Sequence, residues 1–285
     1  MTVTVIDMKS PQYWLNGNTT DTIALNDRCA NYGDGLFETL RWNGQCFPLL
    51  DLHQQRLVNG CERLLISYPE AQLQAALKWL TETLQNESQA VAKITVTRGQ
   101  GGRGYSIEGL SEPSVIAAIF PLNQRDEKDY QSGVCVRLCD TALAIQPRTA
   151  GIKHLNRLEQ VLARAEWQDQ SIAEGILRDT NGNVVEGVSH NVFWFANGKL
   201  HTPALDECGV AGVMRRFVLQ RAEEQGIPVA IERYSLTALA LAEEVFLTNS
   251  VSGVLPVSEI KGLQRYAVGD ITQQLRHSVE ELWQG

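Results

Sequence analysis

Lys153 has the sequence setting that most clearly suggests chemistry. It follows the turn-prone Gly151, and the residues after it predict a helix with one apolar face, made by Leu155, Leu158 and Leu162. Burial of an ammonium among apolar side chains lowers its pKa, and the neutral amine is the nucleophile that forms a Schiff base with a carbonyl. By spacing alone, a solvated lysine at a helix end is the more ordinary interpretation.

Arg56 is a second residue whose type and position suggest binding. It lies in a predicted helix that begins with Asp51 as its N-cap. The inner face of that helix is predicted to contain Leu57, Cys61, Leu64 and Leu65. A guanidinium fork matches the geometry of a phosphate dianion, although an arginine in this position is ordinarily on the surface.

A glycine-rich loop follows a predicted strand. Gly99, Gly101 and Gly104 satisfy the Gly-x-Gly-x-x-Gly pattern of dinucleotide sites, which requires a helix next. Residues 105–113 are instead polar and loop-like, and no lysine follows at the phosphate-loop position, so both nucleotide interpretations fail. Arg103 in this loop could grip a carboxylate through two parallel hydrogen bonds, or be the solvated tip of a β-hairpin.

Two later segments are suited to hold an anion. Residues 209–216 enter a predicted helix that ends near Gln225, and free amides at its first turn can bind a phosphate without a charged side chain. A predicted strand, residues 243–247, ends in the polar loop 248–253. Glu186 closes a short predicted strand and, judged by itself, is an exposed glutamate at a turn.

The remaining patterns define the organisation of the chain. Its 285 residues suit one large domain or two modest ones. The polar segment 121–130 is the best linker, which gives a small domain, 1–120, and a larger domain, 131–285. Further predicted elements are strand 13–15 with its hairpin turn Asn16-Gly17, strand 36–42, helix 69–85, strands 90–97, 115–120, 133–138, 174–178, 184–186, 191–195 and 199–202, and helix 266–283.

Composition excludes several classes of function. A net charge of -8 argues against a nucleic-acid partner, since no basic stripe is available to neutralise phosphates. No apolar run approaches the length of a membrane span, and residues 1–10 lack the apolar core of an export signal. The 6 cysteines are scattered without metal-ligand spacing, so no metal site is expected and reduced thiols in a cytoplasmic protein are predicted.

Five motifs in one order give the chain a resemblance to the fold-type IV pyridoxal 5′-phosphate (PLP) family, which includes branched-chain and D-amino-acid aminotransferases. They are Gly33-Asp34-Gly35, residues 53–57 (His-x-x-Arg-Leu), residues 101–105 (Gly-Gly-Arg-Gly-Tyr), residues 151–157 around Lys153, and residues 186–193 (Glu-x-x-x-x-Asn-x-Phe). The resemblance covers the chain from about Tyr13 onward and assigns no role to the residues before it. It implies a fold-type IV α/β (α+β) architecture, with a small α/β N-terminal domain, a larger domain of β-barrel character, PLP between them, and a homodimer.

The resemblance also implies residue roles. Lys153 would form the Schiff base, Arg56 would grip the phosphate, and Glu186 would pair with the pyridine nitrogen. Glu186 belongs to the same motif as Asn191. Further phosphate contacts would come from Val213, Met214, Ser250 and the amide of Val251. Substrate contacts would come from Thr39, Arg103, Tyr105 and Asn249, with Thr39 also a candidate acid.

Within the family, the 101–105 loop is similar to that of the lyases that act on 4-amino-4-deoxychorismate. The resemblance therefore implies conversion of that small molecule into 4-aminobenzoate and pyruvate, a step toward folate. A branched-chain or D-amino-acid aminotransferase is the alternative on the same fold, because it shares every PLP contact. A PLP-binding protein without turnover is a third possibility, which the combination of Lys153 and Glu186 makes the weakest.

Overall fold

The structure is a computed structural model that describes residues 11–110 and 112–284. The chain divides into two compact units. Unit 1 contains the residues up to Asn123 together with Lys153–Asn156, and unit 2 contains Gln124–Ile152 and the residues from Arg157 onward. The predictions for residues 1–10 lie outside the described residues. Lys153 therefore belongs to unit 1, although the chain on both sides of residues 153–156 belongs to unit 2.

Unit 1 is built on one antiparallel sheet. Its elements are β1 (Gln12–Leu15), β2 (Asn18–Thr19), α1 (Arg28–Tyr32), β3 (Gly35–Trp42), α2 (Leu50–Leu64), α3 (Glu70–Leu84), β4 (Ala90–Thr97) and β5 (Ser114–Phe120). The strand order is β2-β1-β5-β4-β3, with α2 against β3 and α3 against β5. Asn16 and Gly17 have positive φ angles of 45° and 101°, as the predicted hairpin turn requires.

The side chains of β3 alternate between two environments. Leu36, Glu38 and Leu40 are buried on one face, whereas Phe37 and Thr39 are half-buried on the other. The strand can approach β4 closely because its first residue is a glycine. A Cβ on Gly35 would lie 2.4 Å from a backbone oxygen of β4, which is closer than any side chain allows.

Two details of the predicted helix 51–65 are wrong. The helix begins at Leu50 with Leu49 at the N-cap position, so Asp51 lies in its first turn. Leu65 lies beyond the helix in a left-handed conformation (φ 57°) and is 68% exposed. The 3.6-residue periodicity correctly placed Leu57 and Cys61 inward, but it could not show that the chain turns away at residue 65.

Unit 2 contains a larger sheet. Its elements are α4 (Glu127–Ser132), β6 (Val134–Leu143), α5 (Leu158–Ala165), β7 (Ile172–Asp179), β8 (Asn183–Gly187), β9 (Asn191–Ala196), β10 (Lys199–Pro203), α6 (Val213–Glu224), β11 (Val229–Glu232), β12 (Tyr234–Ser235), α7 (Leu236–Ala240), β13 (Glu244–Asn249), β14 (Gly253–Ile260), β15 (Gln264–Arg265) and α8 (Asp270–Gln284).

The ten strands of unit 2 form one mixed sheet in the order β11-β10-β9-β13-β14-β6-β7-β8-β12, with β15 beside β14. The sheet curves enough for β8 to contact both β9 and β10, which stand near the other end of that order. One face buries Val192, Trp194, Val245 and Leu247 in the core of the unit. The mixed α/β content and the barrel character of the second sheet are confirmed.

The helix predicted after Lys153 is placed differently in the structure. It begins at Leu158, five residues later, and Lys153 itself lies in extended chain. Leu158 and Leu162 are 76% and 60% exposed, so the expected apolar surroundings of the lysine do not come from this helix. The residues that α5 buries are Gln160 and Ala163. The spacing of apolar residues shows that a helix has one apolar face, but it does not show whether that face is buried within the same chain.

Smaller differences concern the ends of elements. The segment 121–130 contains the start of α4, whose N-cap Asp126 accepts a hydrogen bond from the Lys128 amide. The strand predicted to stop at residue 138 continues to Leu143, and the C-terminal helix begins at Asp270 instead of residue 266. Among the described residues, no helix has the length and apolar character needed to cross a membrane.

Candidate active site

Lys153 is held by backbone pairing along the edge of β3. The amide of Phe37 donates to the Lys153 carbonyl at 3.0 Å, and His154 faces Leu36 in an antiparallel bridge. Residues directly opposite each other across an antiparallel pair project from the same face, so Lys153 and Phe37 share a face. Accordingly, the Lys153 Nζ lies 4.4 Å from the centroid of the Phe37 ring.

The same face contains a second lysine and the predicted Thr39. Thr39 lies directly opposite Lys93 in the register of β3 and β4. The Nζ of Lys93 is 4.8 Å from the centroid of the Phe37 ring, and burial lowers the pKa of Lys93. The structure therefore places two amines against one aromatic ring, with Thr39 on the same face of β3.

Arg56 lies on the opposite face of β3, against a carboxylate that the sequence had not indicated. Its Nε donates to Glu38 Oε1 at 2.8 Å, and its Nη2 contacts Glu38 Oε2. His53 Nδ1 lies 2.6 Å from the same Oε2. Burial alone would raise the pKa of Glu38, but the charge and hydrogen bonds of Arg56, together with His53, lower it to about 2. Burial lowers the pKa of His53.

The glycine-rich loop is anchored at its base by charged residues. Asp34 Oδ2 accepts hydrogen bonds from Nε of Arg28 and from Nε of Arg98, both at 2.8 Å. Burial alone would raise the pKa of Asp34, but Arg98 and Arg28 lower it. Arg28 also donates to the Gly104 carbonyl at 3.0 Å, and the Gly104 amide donates to the Tyr32 hydroxyl at 3.1 Å.

The tip of this loop is exposed, in contrast to its base. Tyr105 is 84% exposed, although its ring lies 5.4 Å from that of Tyr32, and Arg103 is exposed beside it. Arg103 and Tyr105 are therefore presented outward from a fixed base. Exposure is common to ligand-binding side chains and to the solvated tip of a hairpin, so the roles of Arg103 and Tyr105 stay predictions.

In unit 2, Glu186 is buried at the end of β8. It is 4% exposed, and its Oε2 accepts a hydrogen bond from the Val210 amide at 2.8 Å. Burial lowers the pKa of the nearby Arg157, and the charge of Glu186 opposes that shift. Glu186 is thus a held, buried carboxylate and differs from the exposed turn glutamate that spacing alone suggested.

The first turn of α6 has the features of an anion site. The helix begins at Val213 and Met214, and Gly212 occupies its N-cap position. Among the described residues, no side chain caps this end of the helix with a hydrogen bond. A Cβ on Gly212 would lie 1.9 Å from Asn191 Oδ1, so only glycine leaves room for the Asn191 side chain at this position. Asn191 in turn donates to the Val210 carbonyl at 2.8 Å. Asn191 therefore braces the turn that leads into the helix.

A buried hydroxyl lies on the strand next to Asn191. Thr248 faces Asn191 in the register of β13 and β9, and it is 1% exposed. Its Oγ1 has no hydrogen-bond partner within residues 11–110 and 112–284. An unpaired buried hydroxyl is costly unless a ligand or a water satisfies it. The amides at the start of α6 and this hydroxyl together fit a phosphate, and the Glu186 carboxylate fits a protonated ring nitrogen.

The loop after β13 is tied internally. Asn249 Oδ1 accepts from the amides of Val251 and Ser252 at 2.9 and 2.7 Å. The Val251 amide is thus used within the loop, and its role toward a phosphate stays a prediction, as does that of Ser250. A substrate contact by Asn249 also stays a prediction.

The residues that sequence reasoning missed are Glu38, Lys93, Arg157, His190 and Thr248. Glu38 and Lys93 occupy alternating positions in strands that were predicted correctly, and a charged residue in an otherwise apolar strand was the available signal. No comparable signal marked Thr248, whose unpaired hydroxyl is visible only in the folded chain.

The chain is similar to known proteins over almost its whole length. Residues 35–260 match the amino-transferase class IV family. An aminodeoxychorismate lyase of Vibrio harveyi is 36% identical over 93% of this chain and 98% of its own length. A D-alanine aminotransferase of Bacillus licheniformis is 32% identical over 90% of each chain. The crystal structure of 4-amino-4-deoxychorismate lyase from Pseudomonas aeruginosa superimposes with a TM-score of 0.90 at 43% identity, covering 94% of this chain and 98% of that one. The chain therefore belongs to the amino-transferase class IV family, as its motifs had indicated.

Proposed function

We propose that this protein is a PLP-dependent carbon–oxygen lyase that converts 4-amino-4-deoxychorismate into 4-aminobenzoate and pyruvate, in the direction of folate synthesis. The observation that carries the proposal is the glycine-rich loop, since the PLP contacts are common to lyases and aminotransferases. Its base is fixed by Arg28, Asp34 and Arg98, and its exposed side chains Arg103 and Tyr105 are the proposed substrate contacts. Identities of 36% and 43% with two lyases support the same assignment.

The residues present fit PLP. Bound PLP supplies a carbonyl that combines with amines and a ring that accepts electrons. Lys153 is proposed to hold the carbonyl, and Glu186 is proposed to keep the ring nitrogen protonated. Asn191 braces the turn before α6. The proposed phosphate contacts are Arg56, Ser250 and the amides of Val213, Met214 and Val251.

Lys153 is proposed to do the proton transfer. With PLP bound, the Lys153 Nζ would remove the proton from substrate C4. Loss of that proton and of the enolpyruvyl oxygen at C3 leaves an aromatic ring, so the overall reaction is downhill. The pyruvate fragment then needs one proton on carbon. Lys153 or Thr39 supplies it, and both lie on the face of β3 that contains Phe37.

The substrate is a dicarboxylate, and Arg103 is the proposed partner of one carboxylate. A guanidinium can bind a carboxylate through two parallel hydrogen bonds, and the neighbouring glycines let the backbone approach a ligand closely. Tyr105 and Asn249 complete the proposed substrate contacts. The proposal for Tyr105 is supported by its exposed ring, which lies 5.4 Å from that of Tyr32.

An aminotransferase is the alternative function, and the similarity to a D-alanine aminotransferase supports it. The deciding experiment supplies purified protein with enzymatically prepared 4-amino-4-deoxychorismate and follows 4-aminobenzoate by its fluorescence. In parallel, branched-chain and D-amino acids are tested for transamination. We expect 4-aminobenzoate formation to be far faster. Dominant transamination would overturn the lyase assignment, and failure of both reactions in a PLP-loaded protein would indicate a binding protein.

A homodimer in the cytoplasm is also proposed. Helix α5 exposes Leu158, Val161 and Leu162 on one side, at 76%, 60% and 60%, which is typical of a surface that another chain covers. All 6 cysteines are unpaired, in agreement with a reducing compartment. Light scattering of the purified protein tests the assembly. A monomer would contradict it, whereas a dimer that Leu158→Glu dissociates would place the interface at α5.

A further inference from the structure

Unit 2 contains a buried glutamate–histidine pair outside the contacts proposed above. His190 Nδ1 lies 2.9 Å from Glu174 Oε2, and the two residues are 5% and 4% exposed. The amide and hydroxyl of Ser189 donate to the same carboxylate at 3.0 and 2.8 Å. Burial alone would raise the pKa of Glu174, but His190 and the Ser189 hydrogen bonds lower it. The carboxylate is therefore ionised and acts as an acceptor.

The other nitrogen of His190 faces Asn249, whose side-chain orientation is set by its neighbours. Two backbone amides, those of Val251 and Ser252, point at one atom of the Asn249 amide group. Backbone amides only donate, so that atom must be the oxygen. The nitrogen Nδ2 must then be the atom that lies 2.9 Å from His190 Nε2 and 3.3 Å from the Ser189 carbonyl.

This orientation determines the tautomer of His190. Because Nδ2 of Asn249 can only donate, Nε2 of His190 must accept, which leaves Nδ1 as the donor nitrogen of the ring. The Nδ1 proton is then donated to Glu174. Every bond in the chain runs the same way, from the loop amides to Asn249, from Asn249 to His190, and from His190 to Glu174. The loop is thus connected to an ionised carboxylate by oriented hydrogen bonds.

We propose that Glu174, His190 and Asn249 are positioning residues that set the shape of loop 249–252 and thereby the affinity of the protein for the phosphate group of its cofactor. The inference rests on the proposed function only in taking this loop as a phosphate contact. Asn249 supports the loop, because its oxygen accepts hydrogen bonds from two amides and its nitrogen donates toward His190 and the Ser189 carbonyl. Ser250 lies between Asn249 and the tied amides of residues 251 and 252, so these bonds fix its position in the loop.

The test compares two ligands that differ only in the phosphate. The full-length protein is stripped of cofactor and titrated with PLP and, separately, with pyridoxal, and absorbance gives the two dissociation constants. We expect His190→Ala to weaken PLP binding about tenfold, the effect of losing one oriented hydrogen bond, and to change pyridoxal binding less than about twofold. His190→Gln retains a donor and an acceptor, so it should restore PLP binding to within about threefold of wild type.

His201→Ala is the matched control. His201 is in the same sheet, with Nδ1 3.1 Å from the Tyr234 hydroxyl, and it has no bond to the loop. We expect neither dissociation constant to change. An equal loss of PLP and pyridoxal affinity in His190→Ala, or no loss of either, would overturn the proposal. If His190→Ala does not fold, Asn249→Ala at the half-buried end of β13 must show the same selective loss, and an unchanged ratio of the two constants would overturn it.

The titrations need no substrate, so the outcome is separate from the lyase assignment. Wild-type protein that binds PLP but forms no 4-aminobenzoate would refute the lyase and leave the positioning role intact. Wild-type protein that binds PLP no better than pyridoxal would overturn the role of the loop, whatever reaction the protein catalyses.

Discussion

The two units each contain a buried glutamate–histidine pair, and the pairs differ in what they hold. In unit 1, the Glu38 carboxylate is hydrogen-bonded to His53 and to the guanidinium of Arg56. In unit 2, the Glu174 carboxylate is hydrogen-bonded to Ser189 and His190. The other ring nitrogen of His190 lies within hydrogen-bond distance of the uncharged side-chain amide of Asn249. The first pair therefore positions a positive charge, whereas the second positions a neutral backbone loop.

The difference follows from the distance over which each kind of interaction acts. A charge such as Arg56 influences a ligand over several ångströms, so a single ion pair is sufficient to position it. Backbone amides act only at hydrogen-bond distance, so a loop that presents them must be held to a few tenths of an ångström. The longer relay from Glu174 supplies that accuracy. We therefore expect changes in unit 1 to alter charge and chemistry, and changes around the unit 2 relay to alter cofactor retention.

The largest effect is expected for Lys153, which is also in unit 1. Lys153→Ala should lower 4-aminobenzoate formation more than about 1,000-fold, because the proposed nucleophile and proton carrier are both removed. Borohydride reduction of wild-type protein should fix the cofactor to the peptide that contains Lys153, as mass spectrometry would show. Lys93→Ala is the matched control and should leave that label in place. A label recovered on Lys93 or Lys199 would contradict the assignment.

Glu186 should give the next largest effect and would show that unit 2 also supplies charge. Glu186→Gln should retain PLP, because the proposed phosphate contacts are unchanged. We expect its turnover to fall by an amount that corresponds to about 2–4 kcal/mol, as for other electrostatic deletions in active sites. The readouts are kcat and PLP content of the same sample. Near-normal turnover would mean that Glu186 does not face the ring.

Acid should destabilise the first pair. The pKa of Glu38 is about 2 in the folded chain, against an ordinary value of 4.5, so its stabilising effect is complete above about pH 4.5 and is lost as the pH falls toward 2. The shift corresponds to about 3 kcal/mol. The lowered pKa of His53 acts in the same direction, because the unfolded chain binds that proton first.

Urea unfolding at pH 7, 4 and 3 would measure this effect. Glu38→Gln should reduce the dependence of the free energy of unfolding on pH. Glu62→Gln, a change of an exposed residue on α2, the helix that contains His53 and Arg56, should leave the dependence as in wild type. Equal acid sensitivity of Glu38→Gln and wild type would show that Glu38 is not the group responsible.

The smallest of these effects is expected at the exposed loop of unit 1, where a charge is presented without a buried pair of its own. Arg103→Ala should weaken binding of 4-amino-4-deoxychorismate by about 1.5–3 kcal/mol, the range for a hydrogen bond to a charged group. PLP content should not change. Arg125→Ala is the control for loss of charge, because Arg125 is outside the proposed cofactor and substrate contacts and pairs with Asp129. Undiminished 4-aminobenzoate production by Arg103→Ala at low substrate would remove the lyase-loop argument.

Sequence patterns predicted most of the elements because the responsible interactions are local. Strand-type composition located β3, β4 and β9, and the pair Asn197-Gly198 located a hairpin turn whose φ angles are 51° and 72°. The motifs also indicated Lys153 and Glu186. The environment of Lys153 was mispredicted, because the apolar contact comes from Phe37 of a distant strand and not from α5.

The sequence by itself determined the family and the kind of chemistry, and it supplied the residues proposed to carry that chemistry, since these depend on residue type and on spacing along the chain. Tertiary structure alone decided which groups meet: Glu38 with Arg56, Asp34 with Arg28 and Arg98, and Asn249 with His190. These contacts join residues up to 64 positions apart. Their geometry depends on strand register and on the burial that makes an unpaired charge costly. Neither of these is determined by the residues that are adjacent in sequence.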